Sequence, residues 1–213
     1  DVIGTYVLEE HKGKREFNFH EGPVFANIVL VDEINRATPK TQSALLEAMQ
    51  ERQVTVGIKT YKLETPFFVL ATQNPIEQEG TYPLPEAQID RFLFKVHISY
   101  PDREDEDKVI DLYTGELKTL NTKKILGKES LATIQKLVKQ VPFAKDLKEK
   151  VLKIITATRT DTNLEYGASP RASIGLILAA KAHALISGRN HVSKEDIKEM
   201  AYPVLRHRII LNF

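Results

Sequence analysis

Residues 27–37 read NIVLVDEINRA. Ile28 to Val31 form an apolar, largely β-branched run, too short for a helix, which fits a strand buried on both faces. The run ends in two adjacent carboxylates, Asp32 and Glu33. Two more runs share its character. FFVLAT, residues 67–72, leads into Gln73, Asn74 and Pro75, and FLFKVHIS occupies 92–99. After the first run, Thr38 and Pro39 offer an N-cap and a first helical residue, and Leu45, Ala48, Met49 and Arg52 follow at helical spacing. Continuous apolar runs separated by helical or turn segments predict an α/β fold with a mostly parallel, doubly covered sheet.

Residues 4–25 read as a β-hairpin turning at HKGK, and QVTVGIKTYKL as a second hairpin around Gly57. Beyond Tyr100 and Pro101 the pattern changes. Residues 102–112 are charged and helical, 113–128 form a polar linker, and helices are expected over 130–140, 144–160, 170–187 and 194–206. Ser169 and Ser193 are their N-caps where caps are legible, with Asp196 completing a capping-box variant and Gly188 as a C-terminal stop. The chain therefore divides into an α/β part, 1–112, a linker, 113–128, and an all-α part, 129–213.

The 213 residues are 42% hydrophobic, enough for one large domain or two smaller ones. Thirty basic against 29 acidic residues leave a net charge of +1, so nothing demands nucleic acid or an anionic membrane as partner. The absence of cysteine excludes a disulfide framework and a thiolate metal site, and fits a reducing, cytoplasmic setting. No apolar run approaches the roughly 18 residues of a membrane-spanning helix. The sequence opens on Asp1-Val2-Ile3 without methionine, as a fragment or processed product would.

Ligands of open parallel sheets sit beyond the carboxyl ends of the strands. Asp32 and Glu33 lie at one such end and Asn74 just past another. As neighbours on a strand, the two acids point to different sides. One can hold a hydrated Mg²⁺ and the other can orient or deprotonate a water, the division of labour that phosphoanhydride hydrolysis needs. A strand end reaching solvent explains them equally well. Asn74 can bond a water and a phosphate oxygen through its amide, or serve as a turn residue before proline. Arg91 has the neighbouring Asp90, or any surface carboxylate, as its ordinary partner. Arg171, in the first turn of a helix, opposes the helix dipole, which suggests an anion nearby.

Taken together, these segments resemble the MoxR family of AAA+ ATPases over essentially the whole chain. GPVFANIVLVDEINRATPKTQSALLEAMQERQVTV is similar to the family's Walker B strand and following helix. PFFVLATQNPIEQEGTYPLPEAQIDRF resembles its sensor 1 and arginine-finger region, and YGASPRAS, SGRNHVSKEDI and VLRHRIIL its helical lid. The resemblance implies an AAA+ P-loop NTPase-type sheet followed by an all-α lid, with ATP and Mg²⁺ as ligands. It implies that Asp32 holds the metal, Glu33 activates water, Asn74 is sensor 1, Arg91 is a finger reaching the next subunit's nucleotide, and Arg171 is sensor 2. The two hairpins would face substrate or a ring pore. The family implies a homo-oligomeric ring, commonly a hexamer, that remodels or matures client proteins, von Willebrand factor A-domain proteins among its partners. Neither nucleic acid nor membrane insertion is expected.

One departure stands out. No G-x-x-x-x-G-K-[ST] phosphate-binding loop occurs. Gly13-Lys14 and Gly127-Lys128 are followed by Arg15 and Glu129, and the positions five before those glycines are Leu8 and Thr122. By resemblance the P-loop strand belongs between the strands at 67–72 and 92–99, so the sheet is expected to be incomplete and these residues alone to be inactive. Buried backbone groups left unpaired there would cost about 1–3 kcal/mol each. Two other readings compete with the ATPase. One is a non-enzymatic AAA+-like scaffold, which the missing loop favours and the five retained phosphate-directed residues disfavour. The other is a nucleic-acid motor of a related clade, disfavoured by the absence of a basic stripe.

Overall fold

The computed structural model describes residues 2–11, 14–74, 80–115 and 122–212. Gly13 of the first expected turn, Pro75 beyond Asn74, and residues 116–121 of the expected linker lie outside that range. Strands β1 (Gly4–His11) and β2 (Lys14–Glu21) form the first antiparallel hairpin. Strand β3 (Ile28–Val31) then passes through a 3-10 turn, Ile34–Arg36, into helix α1 (Pro39–Glu51). Thr38 caps α1 by accepting from the Thr41 amide, and Arg52 ends it at φ +55°. Strands β4 (Gln53–Val56) and β5 (Lys59–Lys62) make the second hairpin, turning at Gly57 with φ +63°.

Strand β6 (Phe68–Ala71) returns parallel to β3, with Ile28 opposite Phe68 and Val31 opposite Ala71. Strand side chains alternate between faces. Val29 is buried in a cluster with Leu45, Ala48 and Val54, so α1 and the second hairpin cover one face. The other face carries Ile28, Leu30, Phe68 and Leu70 at 64, 67, 54 and 47% exposure. Among the described residues the sheet is therefore covered on one side, not two. Residues 92–99 form no strand, contrary to the sequence reading. A strand exists through its ladder, and no described strand lies beside this segment. Its backbone bonds elsewhere, Lys95 N–H to the Pro203 carbonyl at 2.9 Å. The two hairpins join through aromatic packing. Phe19 stacks on Tyr61 at 4.3 Å, and the hydroxyls of Tyr6 and Tyr61 are 2.8 Å apart.

Helix α2 (Glu86–Ile89) is a single turn, and α3 (Arg103–Thr114) follows. No residue of α3 is buried, so its order rests on local terms: Asp102 caps it and three acidic residues occupy its first turn. The second half contains α4 (Lys128–Gln140), α5 (Lys145–Thr160), β7 (Leu164–Tyr166), α6 (Pro170–Ile186), α7 (Lys194–Leu205) and β8 (Ile210–Leu211). Ala172, Gly175, Leu176, Ala179 and Ala180 are buried along α6, and these mostly small side chains let α5 and α7 pack closely. Ser193 caps α7, and Asp196 completes the capping box while fully buried. The Arg189 hydrogen bond, with those of Ser193 and His183, outweighs burial and holds its carboxyl well below the usual range. One feature of this half is not helical: β7 and β8 pair antiparallel and tie the end of the chain to the α5–α6 connection.

Gly167, in that connection, has no room for a side chain. A Cβ there would sit 2.5 Å from the Thr158 carbonyl oxygen and 2.6 Å from the Arg159 Cα, both backbone atoms. Gly167→Ala is expected to destabilise the protein by about 1–3 kcal/mol, the usual cost of overpacking. Urea unfolding monitored by circular dichroism would register it as a lower midpoint.

Candidate functional site

The parallel register sets the carboxyl ends of β3 and β6 side by side, and Thr72 links them. Its hydroxyl donates to Asp32 Oδ1 at 2.5 Å and accepts from the Glu33 amide at 2.8 Å. Its amide donates to the Val31 carbonyl at 2.9 Å, and its carbonyl accepts from the Ile34 amide at 3.0 Å. Asp32 and Glu33 are thus not neighbours on a strand, as the sequence suggested. The strand stops at Val31, and Glu33 adopts the left-handed conformation at φ +48°, ψ +57°. That turn throws its carboxylate to one side, where Arg36 Nε lies 3.1 Å from Oε2. Asn74, half-buried, follows two residues after Thr72 at the same edge of the sheet.

Gln42 pins this turn from below. It is buried on α1 and donates to the carbonyls of Ile34, at 3.1 Å, and Tyr82, at 2.8 Å. Neither Thr72 nor Gln42 received a role from the sequence. Gln42 left a signal, as a polar residue three before Leu45 on the apolar stripe of α1.

The arginines belong to a second set of contacts. Arg91 does not pair with Asp90. Asp90 instead accepts from the Ser169 hydroxyl at 2.9 Å, Arg208 Nε at 2.8 Å and Arg171 Nη1 at 3.3 Å. Arg91 Nε is buried without a hydrogen-bond partner. Arg171 therefore has an anion beside it, as its position in the first turn of α6 implied, and that anion is a carboxylate of the protein. Burial alone would raise the Asp90 carboxyl, but hydrogen bonds from Ser169, Arg208 and Arg171 outweigh it and hold it below the usual carboxylate range. Arg208 and His207 are both buried and were missed by the sequence reading. Burial, reinforced by the adjacent Arg208 charge, lowers His207 to about 4, so its ring is neutral at pH 7 and Nε2 donates to the Phe92 carbonyl at 3.0 Å.

Among the described residues no three His, Asp or Glu side chains converge as a metal cage. Mg²⁺ ordinarily takes one or two carboxylates and completes its shell with water and substrate phosphates. Asp32, exposed and with only one carboxylate oxygen engaged by Thr72, fits that donor set.

Residues 1–94 match the family model of ATPases associated with various cellular activities (AAA), and residues 156–213 match the AAA lid domain. The chain is 45% identical over its full length to the protein named Chaperone MoxR1 from Mycobacterium tuberculosis, covering 58% of it. It is 47% identical to the YeaC protein of Bacillus subtilis, again over its full length and covering 66% of that protein. The chain thus spans about three fifths of the length of these curated relatives. A crystal structure of a candidate ATPase from Cytophaga hutchinsonii superposes over the whole chain with a TM-score of 0.90 and 46% identity, and the chain covers 67% of it.

Two outcomes follow from the geometry. A left-handed backbone costs a non-glycine residue about 1–2 kcal/mol, against about 0.5–1 kcal/mol for the extra freedom of an unfolded glycine. Glu33→Gly should therefore leave thermal stability unchanged or slightly raised, whereas β-branched Glu33→Val should lower it; differential scanning calorimetry separates the two. His207, with its folded pKa below the unfolded value, contributes stability that is complete above about pH 6.5 and is lost as pH falls toward 4. Going from pH 7 to pH 5 should cost about 2 kcal/mol in denaturant titrations, and His207→Gln should flatten that slope.

Proposed function

The chain belongs to the MoxR-type AAA+ ATPases, and on that premise we propose that it carries the acid pair, sensors and finger of an ATP hydrolase working as a homo-oligomeric ring on client proteins. The Thr72 hydroxyl supports this reading most directly, because it holds Asp32 and the Glu33 backbone in one arrangement at the strand ends. Asp32 would hold Mg²⁺, which supplies charge neutralisation at the phosphates of ATP. Glu33 aligns the attacking water and accepts its proton. Its contact with half-exposed Arg36 is a surface pair worth at most about 1 kcal/mol, which leaves the carboxylate available. Asn74 offers an amide that can bond the water on one side and a phosphate oxygen on the other.

Arg171 contacts phosphate from the lid. Its contact to Asp90 is a single 3.3 Å hydrogen bond from a side chain 51% exposed, so releasing it costs little. Arg91 reaches the nucleotide of the next subunit. A hexamer, a cytoplasmic setting and von Willebrand factor A-domain partners complete the proposal, with the two hairpins turned toward the client.

In the full-length protein, Glu33→Gln should keep ATP binding by calorimetry and abolish phosphate release in a coupled assay. A full-length protein that binds no ATP would favour the non-enzymatic scaffold instead. The 213 residues alone should show neither micromolar ATP affinity nor turnover, because they contain no P-loop sequence.

A further inference from the structure

The segment around Arg91 is gripped by the lid. Arg208, its side chain 3% exposed, uses all five of its N–H donors. Nε donates to Asp90 Oδ1 at 2.8 Å. Nη2 donates to the carbonyls of Asp90, at 2.9 Å, and Phe92, at 2.6 Å. Nη1 donates to the Leu93 carbonyl at 3.2 Å and to the Val204 carbonyl in the last turn of α7, just before Arg208. His207 Nε2 adds a second bond to Phe92, and the Lys95 amide donates to the Pro203 carbonyl at the end of α7. The α6 helix carries a glycine where this segment crosses it: a Cβ at Gly175 would stand 3.2 Å from Leu93 Cδ1. Residues 90, 92, 93 and 95 are thus all bonded to the lid, on both sides of Arg91.

We propose that Arg208, assisted by His207, is a positioning residue that clamps the backbone around Arg91, so that the lid sets how one subunit presents this arginine to its neighbour's nucleotide. The inference rests on the finger reading of Arg91 proposed above. Its physical content is that the lid and the finger segment move as one body. Asp90 joins them at a second point, since it also holds Ser169 and Arg171 at the start of α6. A lid displaced by its own subunit's nucleotide would carry Arg91 with it, coupling one site to the next. A lysine cannot replace Arg208, because an ammonium is a point donor without the planar fork that reaches three carbonyls and a carboxylate together.

The test uses full-length rings. Arg208→Lys should lower kcat about 10-fold or more, the scale expected when a reacting group is displaced by a fraction of an ångström, with KM for ATP changed less than about 2-fold. Mixing Arg208→Lys subunits with Glu33→Gln subunits should recover turnover, because the latter lend an intact finger to the former's intact acid pair. An unfolded or generally weakened subunit would not be rescued this way. His207→Leu, which loses the donor but suits a buried position, should give a milder loss of the same kind, and His207→Gln, which keeps a donor, should retain activity. Arg91→Ala mixed with Glu33→Gln is the reference. Recovery with Arg91→Ala but with neither Arg208→Lys nor His207→Leu would overturn the clamp and leave the finger reading standing. A rise in KM at unchanged kcat would also overturn the clamp. No recovery with Arg91→Ala would overturn the finger reading, and the clamp with it.

Discussion

A guanidinium can be buried only where its donors are satisfied, and Arg208 meets that condition entirely with groups at the junction of the two halves. Its acceptors are one carboxylate, three carbonyls of the segment 90–93, and the carbonyl of Val204 at the end of α7. Taking one partner from such a buried pair typically costs about 3–5 kcal/mol, a large share of the roughly 5–15 kcal/mol that holds a domain folded. The apolar clusters in the two halves are separate, one around Leu45 and Val54 and the other around Leu176 and Ala180. The polar clamp is therefore the principal bonded seam between them. Neutral His207 belongs to the same balance, because a proton on its ring would place a second cation against Arg208.

The acid pair obeys a different constraint. Local propensity argues against a glutamate at φ +48°, and the conformation survives because its neighbours over-determine it. The Glu33 amide is taken by Thr72 and its carbonyl by the Arg36 amide, while Gln42 fixes the turn to the loop at Tyr82. Strain of this kind is ordinarily spent where a side chain must point in one direction. Here it directs the Glu33 carboxylate away from the line of the strand, while Asp32 stays against Thr72.

Local signals were legible in the sequence. Thr38, Ser169 and Ser193 cap the helices they were expected to cap, Gly188 follows α6 at φ +74°, and the runs at 28–31 and 68–71 are strands. FLFKVHIS misled, because a strand needs a neighbour and hydrophobicity carries no information about whether one is present. Arg208 was illegible for a related reason. In VLRHRIIL it looks like an exposed cation, and everything that makes it a buried one lies far back in the chain, at Asp90 to Leu93. Asp32, Glu33 and Asn74 could be singled out as candidates from their places after strand-like runs, but Thr72, which joins the first two, differs from an ordinary strand-end threonine only through contacts across the sheet.

The charge count at the junction connects the two halves of the proposed chemistry. Asp90 is one negative charge in direct contact with two guanidiniums, those of Arg208 and Arg171, and Arg91 adds a third on the adjacent residue. Arg208 is held in the interior by five bonds. Arg171 is half-exposed, held by one long hydrogen bond, and sits where the α6 dipole repels it. The compensated pair is therefore Asp90 with Arg208, and the cation free to leave is Arg171. Under the proposed reading a nucleotide phosphate takes Arg171 from Asp90 without unpairing any buried charge, so the lid can answer the nucleotide while the clamp on the Arg91 segment stays closed.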